Sequence, residues 1–318
     1  MPPRILICDR IHEDCLKMLR ENGFLVDYFP KIKHEELLKV VGEYECLVVR
    51  SRTKVTSEVL NNAGKLRLIV RAGSGLDNID QDAARIRGIK LIRCPEAVAP
   101  PVAELTIWLM ISLARRLNKL AYSTRARLPS KSETIGHELL GKKLGVVGVG
   151  AVGSRVAKIA HGFGMKLLLN DIRPIDPRGY GGSEVVDLET LLKAADFITL
   201  HIPLTEGTRS MLDERRLSIM KRTAYLINTS RPEIVDSEAL YIALKEDWIA
   251  GAAFEVTEEW LRENPEFLEL DNFICTPHIG SQTEESLRRV SISVAEKIIK
   301  EFEAPKPTSK TSQRSPRR

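Results

Sequence analysis

The residues best suited to chemistry lie in the middle of the chain, where three glycines have the spacing of a nucleotide-binding turn. The segment Gly148–Gly153 reads Gly-Val-Gly-Ala-Val-Gly, between the apolar run Leu144–Val147 and a helical pattern from Ser154 to Ala160. The first glycine permits a tight turn, the second lets the backbone approach a pyrophosphate, and the third lets helix and strand pack closely. Free N–H groups at the helix N-terminus then face the anion. The predicted cofactor-binding residues of this turn are Gly148, Gly150, Ala151, Val152 and Gly153.

Asp171 follows the next apolar run, 18 residues beyond Gly153. A carboxylate at this position accepts hydrogen bonds from the ribose hydroxyls and repels a 2′-phosphate, so the sequence predicts NAD rather than NADP. Arg173 is close enough to weaken that preference. The alternative interpretation is a glycine turn that binds nothing.

Polar residues also follow the other predicted strands of this half, and the carboxyl ends of strands in a doubly wound sheet form the ligand-binding edge. They are Asp171, His201–Pro203, Asn228–Arg231, Glu255 and Thr276–His278. Any one of them alone would be read as a turn residue. Arg231 can hold a carboxylate through two parallel hydrogen bonds. His278 can take a hydroxyl proton as a hydride leaves the same carbon. Arg231 and His278 are therefore the predicted catalytic residues.

Short apolar runs alternate with amphipathic segments along most of the chain, which indicates an α/β protein with two doubly wound parallel-sheet domains. Five strand–helix units fill about the first 95 residues, and a second series starts at Leu144. Between them, a strongly apolar helix is predicted over Val102–Leu120, buried between domains or subunits. Residues 123–138 are polar and aperiodic and are interpreted as a loop or arm.

Composition excludes several classes of protein. The chain has 318 residues, 43% hydrophobic and 29% charged, which is too apolar for a disordered protein. It lacks an apolar run of the roughly 18 residues that a membrane span needs, and its N-terminus does not resemble a signal peptide. Five scattered cysteines without a Cys-x-x-Cys pair indicate neither a disulfide framework nor a metal site. We expect a cytoplasmic protein with no bound metal and no membrane partner.

The formal net charge of +5 lies in a basic tail, residues 304–318, which we expect to be disordered. This tail holds five of the 48 basic residues and no acidic one, so the remainder of the chain is formally neutral. The tail is the only feature that suggests a nucleic-acid partner, and such a partner is not expected.

Several motifs together resemble the D-isomer-specific 2-hydroxyacid dehydrogenases, and within them the short-type D-3-phosphoglycerate dehydrogenases. The matching segments are Val48–Thr56, Arg71–Asp80, Val102–Thr106, Gly148–Gly153, Asn228–Arg231 with Val235–Asp236, and Thr276–Gly280. The resemblance implies a flavodoxin-like substrate domain, residues 1–97 plus 284–303, and a Rossmann NAD domain, residues 98–283. It also implies a homodimer, formed through the Val102–Leu120 helix and the arm that follows it.

The resemblance further implies a function and a set of site residues. The activity would be NAD-dependent hydride transfer to or from a small D-2-hydroxy acid, with 3-phospho-D-glycerate, a serine-biosynthesis substrate, favoured by cationic residues that could bind its phosphate. Arg231 matches the carboxylate-binding arginine and His278 the acid/base. The implied substrate-binding residues are Arg50, Arg71, Ser74, Gly75 and Asn78. The implied further cofactor-binding residues are His201, Pro203, Thr229, Ser230 and Glu255. Solvated surface arginines remain an alternative interpretation of Arg50 and Arg71, and glyoxylate or hydroxypyruvate remain alternative substrates.

Some residues near the chemistry depart from the family pattern. Trp260 stands where the family has the glutamate that orients the histidine, and either Glu258 or Glu259 could replace that acid if the loop shifts by one residue. Pro232 replaces a glycine, and Glu255 replaces an aspartate. The arm reads Pro129–Lys131 where the family has a Trp-x-Arg segment. The alternative function is therefore a catalytically weakened NAD-binding protein that regulates or binds a partner.

Overall fold

The first unit of the protein is built on five parallel strands in the order β2–β1–β3–β4–β5. This computed structural model describes residues 2–117 and 135–303. The strands are β1 (Arg4–Ile7), β2 (Leu25–Tyr28), β3 (Cys46–Val49), β4 (Leu68–Arg71) and β5 (Lys90–Arg93). The helices between them are α1 (Glu13–Glu21), α2 (His34–Val40), α3 (Ser57–Asn61) and α4 (Gln81–Ile86). This strand order is that of flavodoxin-like sheets.

The second unit carries seven parallel strands in the order β12–β11–β10–β9–β6–β7–β8. Its strands are β6 (Lys143–Val147), β7 (Lys166–Asn170), β8 (Glu184–Val185), β9 (Phe197–Leu200), β10 (Tyr225–Asn228), β11 (Gly251–Glu255) and β12 (Phe273–Thr276). Its helices are α5 (Pro95–Ala114), α6 (Ala151–Gly162), α7 (Leu188–Ala194), α8 (Glu214–Ser218), α9 (Ser237–Lys245) and α10 (Glu258–Glu263). The first six strands in chain order repeat the Rossmann arrangement, with β12 added at one edge. The predicted fold class is confirmed.

The last helix, α11 (Glu284–Glu303), returns to the first unit. The backbone N–H of His12 donates to the hydroxyl of Ser291 at 2.8 Å, and Lys90 pairs with Glu301 at 2.6 Å. Phe302 packs edge-on against Phe24. These contacts explain why the first unit is discontinuous in sequence.

The two compact units consist of the described residues up to Cys94 with those from Arg288 on, and of Pro95–Leu287. The sequence-predicted divisions, at 97/98 and 283/284, lie within three or four residues of these. The first differs because α5 belongs to the second unit from its first residue. The predicted arm up to residue 134, including Pro129–Lys131, and the basic tail lie outside the described residues.

Helix α5 begins earlier than the start at Val102 that the sequence predicted for the apolar helix. It begins at Pro95 and contains Pro100 and Pro101, which interior helix positions normally disfavour because proline lacks an N–H. By length and composition this helix could cross a membrane, but 72% of its most apolar 18-residue stretch is buried inside the protein. It packs with α6 in the core beside the β6 face. It is a core helix of the second unit.

Four of the five cysteines are buried in the first unit. They are Cys8, Cys15, Cys46 and Cys94. Burial raises the pKa of Cys8 and Cys46, and raises the pKa of Cys15 to about 12. At neutral pH the thiols of Cys8, Cys15 and Cys46 are therefore protonated, which is the inert state of cysteine. Cys275, in the second unit, is half-buried.

An aromatic cluster packs against the edge strand β12 of the second unit. The ring of Phe267 lies 4.8 Å from that of Phe273 and 5.1 Å from that of Trp260, centroid to centroid. Phe267 is 1% exposed, whereas its neighbour Leu268 is 63% exposed. The cluster joins α10 to the sheet through apolar packing.

We expect Phe267→Ala to destabilise the second unit by about 3–5 kcal/mol, because it leaves a cavity among packed rings. Leu268→Ala is the matched control and should change the free energy of unfolding by less than about 0.5 kcal/mol. Urea unfolding followed by tryptophan fluorescence measures this unit selectively, since Trp108, Trp248 and Trp260 all lie in it. An equal loss of unfolding free energy in Phe267→Ala and Leu268→Ala would contradict the assigned packing.

Candidate dinucleotide and acid/base site

The predicted site residues of the second unit follow strands whose ends are in register. Val147 pairs with Leu200 and with Asn170, Leu200 pairs with Asn228, and Glu255 pairs with Thr276. The residues that come next along each strand therefore share one edge of the sheet. The strand order reverses between β6 and β9, which is where ligands bind in open α/β sheets.

The glycine turn lies at this reversal point. Gly148 has φ +89°, and a Cβ on it would lie 2.7 Å from the carbonyl oxygen of His201. A Cβ on Gly153 would lie 1.9 Å from the carbonyl oxygen of Gly148. Around Gly150, by contrast, the nearest atom to an added Cβ is 3.7 Å away. The two outer glycines thus permit close backbone packing, and the middle one faces open space beside the start of α6.

Asp171 is held at the same edge by two backbone groups. Its carboxylate accepts the N–H of Val149 at 2.8 Å and the N–H of Arg173 at 2.9 Å, and it pairs with the Arg173 guanidinium at 3.2 Å. Burial alone would raise the pKa of Asp171, but the hydrogen bonds from Arg173 and Val149 outweigh it and lower that pKa. The group is an anion at neutral pH, as a ribose-binding acid must be.

His201 stays neutral at this edge. Its Nε2 lies 2.9 Å from the hydroxyl of Thr199, within hydrogen-bond distance. Desolvation by burial lowers the pKa of His201 to about 3, so the imidazole is neutral. Pro203, two residues on, is exposed and accepts a hydrogen bond from Thr208 through its carbonyl. A neutral imidazole suits a cofactor wall better than a general acid.

The loop after β10 is organised by the buried side chain of Asn228. Its Oδ1 accepts the N–H of Ser230 at 3.0 Å, and its Nδ2 donates to the carbonyl of Arg231 at 2.7 Å. The Ser230 hydroxyl donates to the carbonyl of Leu200, and the Thr229 hydroxyl lies 3.1 Å from that of Thr106. Sequence reasoning placed Asn228 in the motif without assigning it a role. Its complete burial identifies it as the residue that shapes the loop.

Arg231 is half-buried and donates to the carbonyl of Ser230 at 2.7 Å. Pro232, which replaces the family glycine, begins a short 3₁₀ turn, Pro232–Ile234. A residue at that position needs no N–H, so proline is compatible with the local fold.

Glu255 ties the end of β11 to the loop that carries His278. This carboxylate is 2% exposed and accepts the N–H of Gly280 at 2.8 Å and the hydroxyl of Thr276 at 3.4 Å. Burial raises the pKa of Glu255, while these hydrogen bonds and the charge of Arg231 oppose the rise. A Cβ on Gly280 would come within 2.5 Å of the carboxylate. A side chain at this position would displace the Glu255 carboxylate, a role of Gly280 that the sequence motif did not reveal.

His278 has φ +51°, in the left-handed region, and its N–H donates to the carbonyl of Thr276 at 2.9 Å. A histidine in this region costs free energy and persists where surrounding contacts hold it, which is common at functional sites. Its half-exposed side chain stands on the shared edge.

Trp260, at the family's glutamate position, lies in the aromatic cluster and is 7% exposed. Its indole is accommodated by the core of the unit. The preceding residue Glu259 is exposed in the first turn of α10, and Glu258 lies 3.5 Å from Arg262.

The predicted substrate residues of the first unit follow β3 and β4. Arg50 donates its N–H to Asp9 at 2.6 Å, and burial lowers the pKa of its guanidinium. Asn78 donates to the carbonyls of Arg50 and Thr53 at 2.7 and 2.6 Å, so its side chain holds this loop.

The strand β4 ends at Arg71, which is 7% exposed and donates to the carbonyl of Ala72. Ser74 and Gly75 are half-buried in the next turn. Asp9, which sequence reasoning missed, is 4% exposed, and its burial beside two arginines is the signal that marks it.

The second unit fits a bound NAD. The open space at Gly150 would receive the pyrophosphate, Asp171 would bind the adenosine ribose, and His201, Thr229 and Ser230 are the residues predicted to bind the nicotinamide half. Within the described residues, no group of three or more His, Cys, Asp or Glu residues could hold a metal ion.

Residues 107–280 match the NAD binding domain of the D-isomer specific 2-hydroxyacid dehydrogenases. The chain is 42% identical, over 93% of its length, to D-3-phosphoglycerate dehydrogenase of Methanocaldococcus jannaschii, and it spans 57% of that relative. It is 40% identical to hydroxypyruvate reductase of Thermotoga maritima, over 94% of this chain and 98% of the relative. The NAD-bound 3-phosphoglycerate dehydrogenase of Entamoeba histolytica superposes with a TM-score of 0.78 at 29% identity, covering 95% and 96% of the two chains. The predicted NAD cofactor and the family resemblance are confirmed.

We expect Gly153→Ala to weaken NADH binding by about tenfold or more, because overpacking against the Gly148 carbonyl costs about 1–3 kcal/mol. Gly162→Ala, at the other end of α6 with nothing within 4 Å of the added Cβ, should bind NADH normally. NADH fluorescence titration measures both. Unchanged NADH affinity in Gly153→Ala would show that the glycine turn is not part of the cofactor site.

We expect Asp171→Ala to weaken NADH binding by about 10–100-fold and to strengthen NADPH binding. The change removes two charged hydrogen bonds to ribose and frees Arg173 to meet a 2′-phosphate. Asp176→Ala is the matched control, because Asp176 pairs with Arg178 in the same Asp-x-Arg arrangement but is solvent-exposed. An unaltered ratio of NADH to NADPH affinity would contradict the assignment.

Proposed function

The chain belongs to the D-isomer specific 2-hydroxyacid dehydrogenases, and on that premise we propose that it is an NAD-dependent oxidoreductase of a small D-2-hydroxy acid. The observation that carries this proposal is the shared edge of the second unit. There the glycine turn and Asp171 stand in register with Arg231 and with His278 on its Glu255-anchored loop. A bound NAD would supply the hydride acceptor for oxidation at C2 of the hydroxy acid, and the hydride donor for the reverse reaction.

The side chains divide the remaining work. Arg231 binds the substrate carboxylate through two parallel hydrogen bonds, which fixes the orientation of C2. His278 takes the hydroxyl proton as the hydride leaves, and donates it back in the reverse reaction. Glu255 holds the His278 loop and, as a buried acid near Arg231, contributes to the charge balance of the site. Asn228 shapes the loop on which Arg231 stands.

For the substrate, we infer 3-phospho-D-glycerate, a substrate of serine biosynthesis. In this proposal, which follows the family resemblance, the backbone N–H groups of Ser74 and Gly75 bind the carboxylate, and Arg50 and Arg71 bind the phosphate. Support comes from the burial of Arg71, the half-buried position of Arg50, and the D-3-phosphoglycerate dehydrogenase among the relatives. Because hydroxypyruvate reductase is also among the relatives, the activity assay must include unphosphorylated 2-oxo acids.

We also propose a cytoplasmic homodimer. Trp108 on α5 is 50% exposed, and a large exposed aromatic residue on an otherwise buried helix is typical of a subunit interface. Burial raises the pKa of Cys8, Cys15 and Cys46 and keeps these thiols protonated, which is compatible with a reducing compartment.

We expect His278→Gln to lower kcat about 10²–10⁴-fold with NADH binding intact, because only the proton transfer is lost. His161→Gln, an exposed histidine at the end of α6, is the control and should retain full turnover. The assay follows NADH oxidation with 3-phosphohydroxypyruvate, hydroxypyruvate and glyoxylate. Tight NADH binding by the unmodified protein without turnover of any 2-oxo acid would instead support an NAD-binding regulatory protein.

The same assay tests which acid supports His278. If Glu259 takes the role of the family's glutamate, Glu259→Gln lowers kcat and leaves the NADH dissociation constant unchanged. Glu258→Gln separates the two acids, because Glu258 already faces Arg262. Full turnover by both variants would show that the histidine acts without a carboxylate from α10.

A further inference from the structure

A cavity of about 420 Å³ opens in the first unit, lined by the loops that follow β2 and β3. Five of its lining residues are cationic or can become so: Lys31, Lys33, His34, Arg52 and Lys54. Thr53 and Thr56 add hydroxyl groups, and Ile32 and Leu37 form an apolar wall. None of the described residues that line it carries a carboxylate. This volume is within the range of small-molecule sites.

The cavity lies where the topology of the first sheet favours ligand binding. In the order β2–β1–β3–β4–β5 the chain reverses direction across the sheet at β1 and β3, and the carboxyl ends of these strands form the crevice. Arg52, in the loop that follows β3, is one of the residues that line the cavity.

Arg52 ties the two loops together and so forms the cavity before any ligand arrives. Its guanidinium pairs with Asp9 at 2.8 Å and donates to the carbonyls of Ile32 at 3.0 Å and Pro30 at 3.2 Å. The cavity walls are therefore cross-linked by a side chain rather than left as independent loops, which lowers the entropic cost of binding.

The charges around the cavity do not balance. Asp9 neutralises Arg52, and Glu58 lies 3.5 Å from His34. Glu36 accepts the backbone N–H of Lys33 at 3.0 Å at the start of α2. In the part of the chain that the structure describes, the ammonium groups of Lys31, Lys33 and Lys54 form no ion pair within 4 Å. Three like charges around one concave surface favour a multivalent anion.

We propose that this cavity binds a small organic phosphate, with the phosphate held by Lys31, Lys33 and Lys54 and the carbon body against Ile32 and Leu37. Lysines are point-charge phosphate ligands, and a phosphate monoester carries about −1.5 to −2 charges at neutral pH. The apolar wall distinguishes an ester from inorganic phosphate. The site uses none of the residues assigned to hydride or proton transfer, so it stands whether or not the dehydrogenase activity does.

Isothermal titration of the full chain with phenyl phosphate and with inorganic phosphate tests the proposal. We expect phenyl phosphate to bind several-fold more tightly than inorganic phosphate. The double variant Lys33→Ala/Lys54→Ala should weaken phenyl phosphate about tenfold or more, whereas Lys39→Ala, an exposed lysine on α2 outside the cavity, should not. Circular dichroism checks folding, and the single variants serve if the double variant does not fold.

Lysine acetylation read by mass spectrometry locates the ligand independently of affinity. Phenyl phosphate should protect Lys31, Lys33 and Lys54 and leave Lys39 unprotected. Equal affinity of the double variant and the unmodified chain, or equal protection of Lys39, would overturn the site. Equal affinity for phenyl phosphate and inorganic phosphate would overturn the assignment to an organic ester.

Discussion

The arrangement of the second unit depends on one buried carboxylate. Glu255 is removed from water at the end of β11, where an ionised group without partners would be too costly to keep. The chain meets that constraint with the hydroxyl group of Thr276 at the end of β12, the backbone N–H of Gly280 beyond it, and the nearby positive charge of Arg231. Satisfying Glu255 therefore sets the path of the segment that carries His278, and links it electrostatically to the arginine. In the proposed mechanism, Glu255 would thereby connect the residue that binds the substrate carboxylate, Arg231, with the segment that carries the proton-transferring His278.

Much of this edge was predictable from the sequence, because parallel strands in register bring the residues after each strand to one side. That rule located the glycine turn, Asp171, Arg231 and His278 without any knowledge of side-chain contacts. It could not locate Asn228 or Gly280 as organising residues, since their roles depend on hydrogen bonds and close approaches between segments far apart in sequence.

The differences from the sequence-based expectations arise from tertiary packing. Counting residues placed Trp260 opposite His278, but α10 directs its ring into an aromatic cluster, where burial stabilises it. The apolar helix predicted from Val102 begins instead at Pro95, because packing of α5 against α6 outweighs the local cost of Pro100 and Pro101. The sequence did not predict the charged cavity of the first unit, because its lysines come from two separate loops that Arg52 joins in the folded structure.

The placement of the cysteines gives the protein an internal chemical reporter. Thiol reagents attack the thiolate, and four of the five thiols are shielded from solvent in the first unit. Their alkylation must wait for that unit to open, so its rate measures the opening equilibrium of one half of the molecule. Cys275 is half-buried one residue before Thr276, at the start of the segment that Glu255 anchors. A label at Cys275 would respond to the ordering of that segment, so a single reagent can follow global unfolding and local rearrangement on separate time scales.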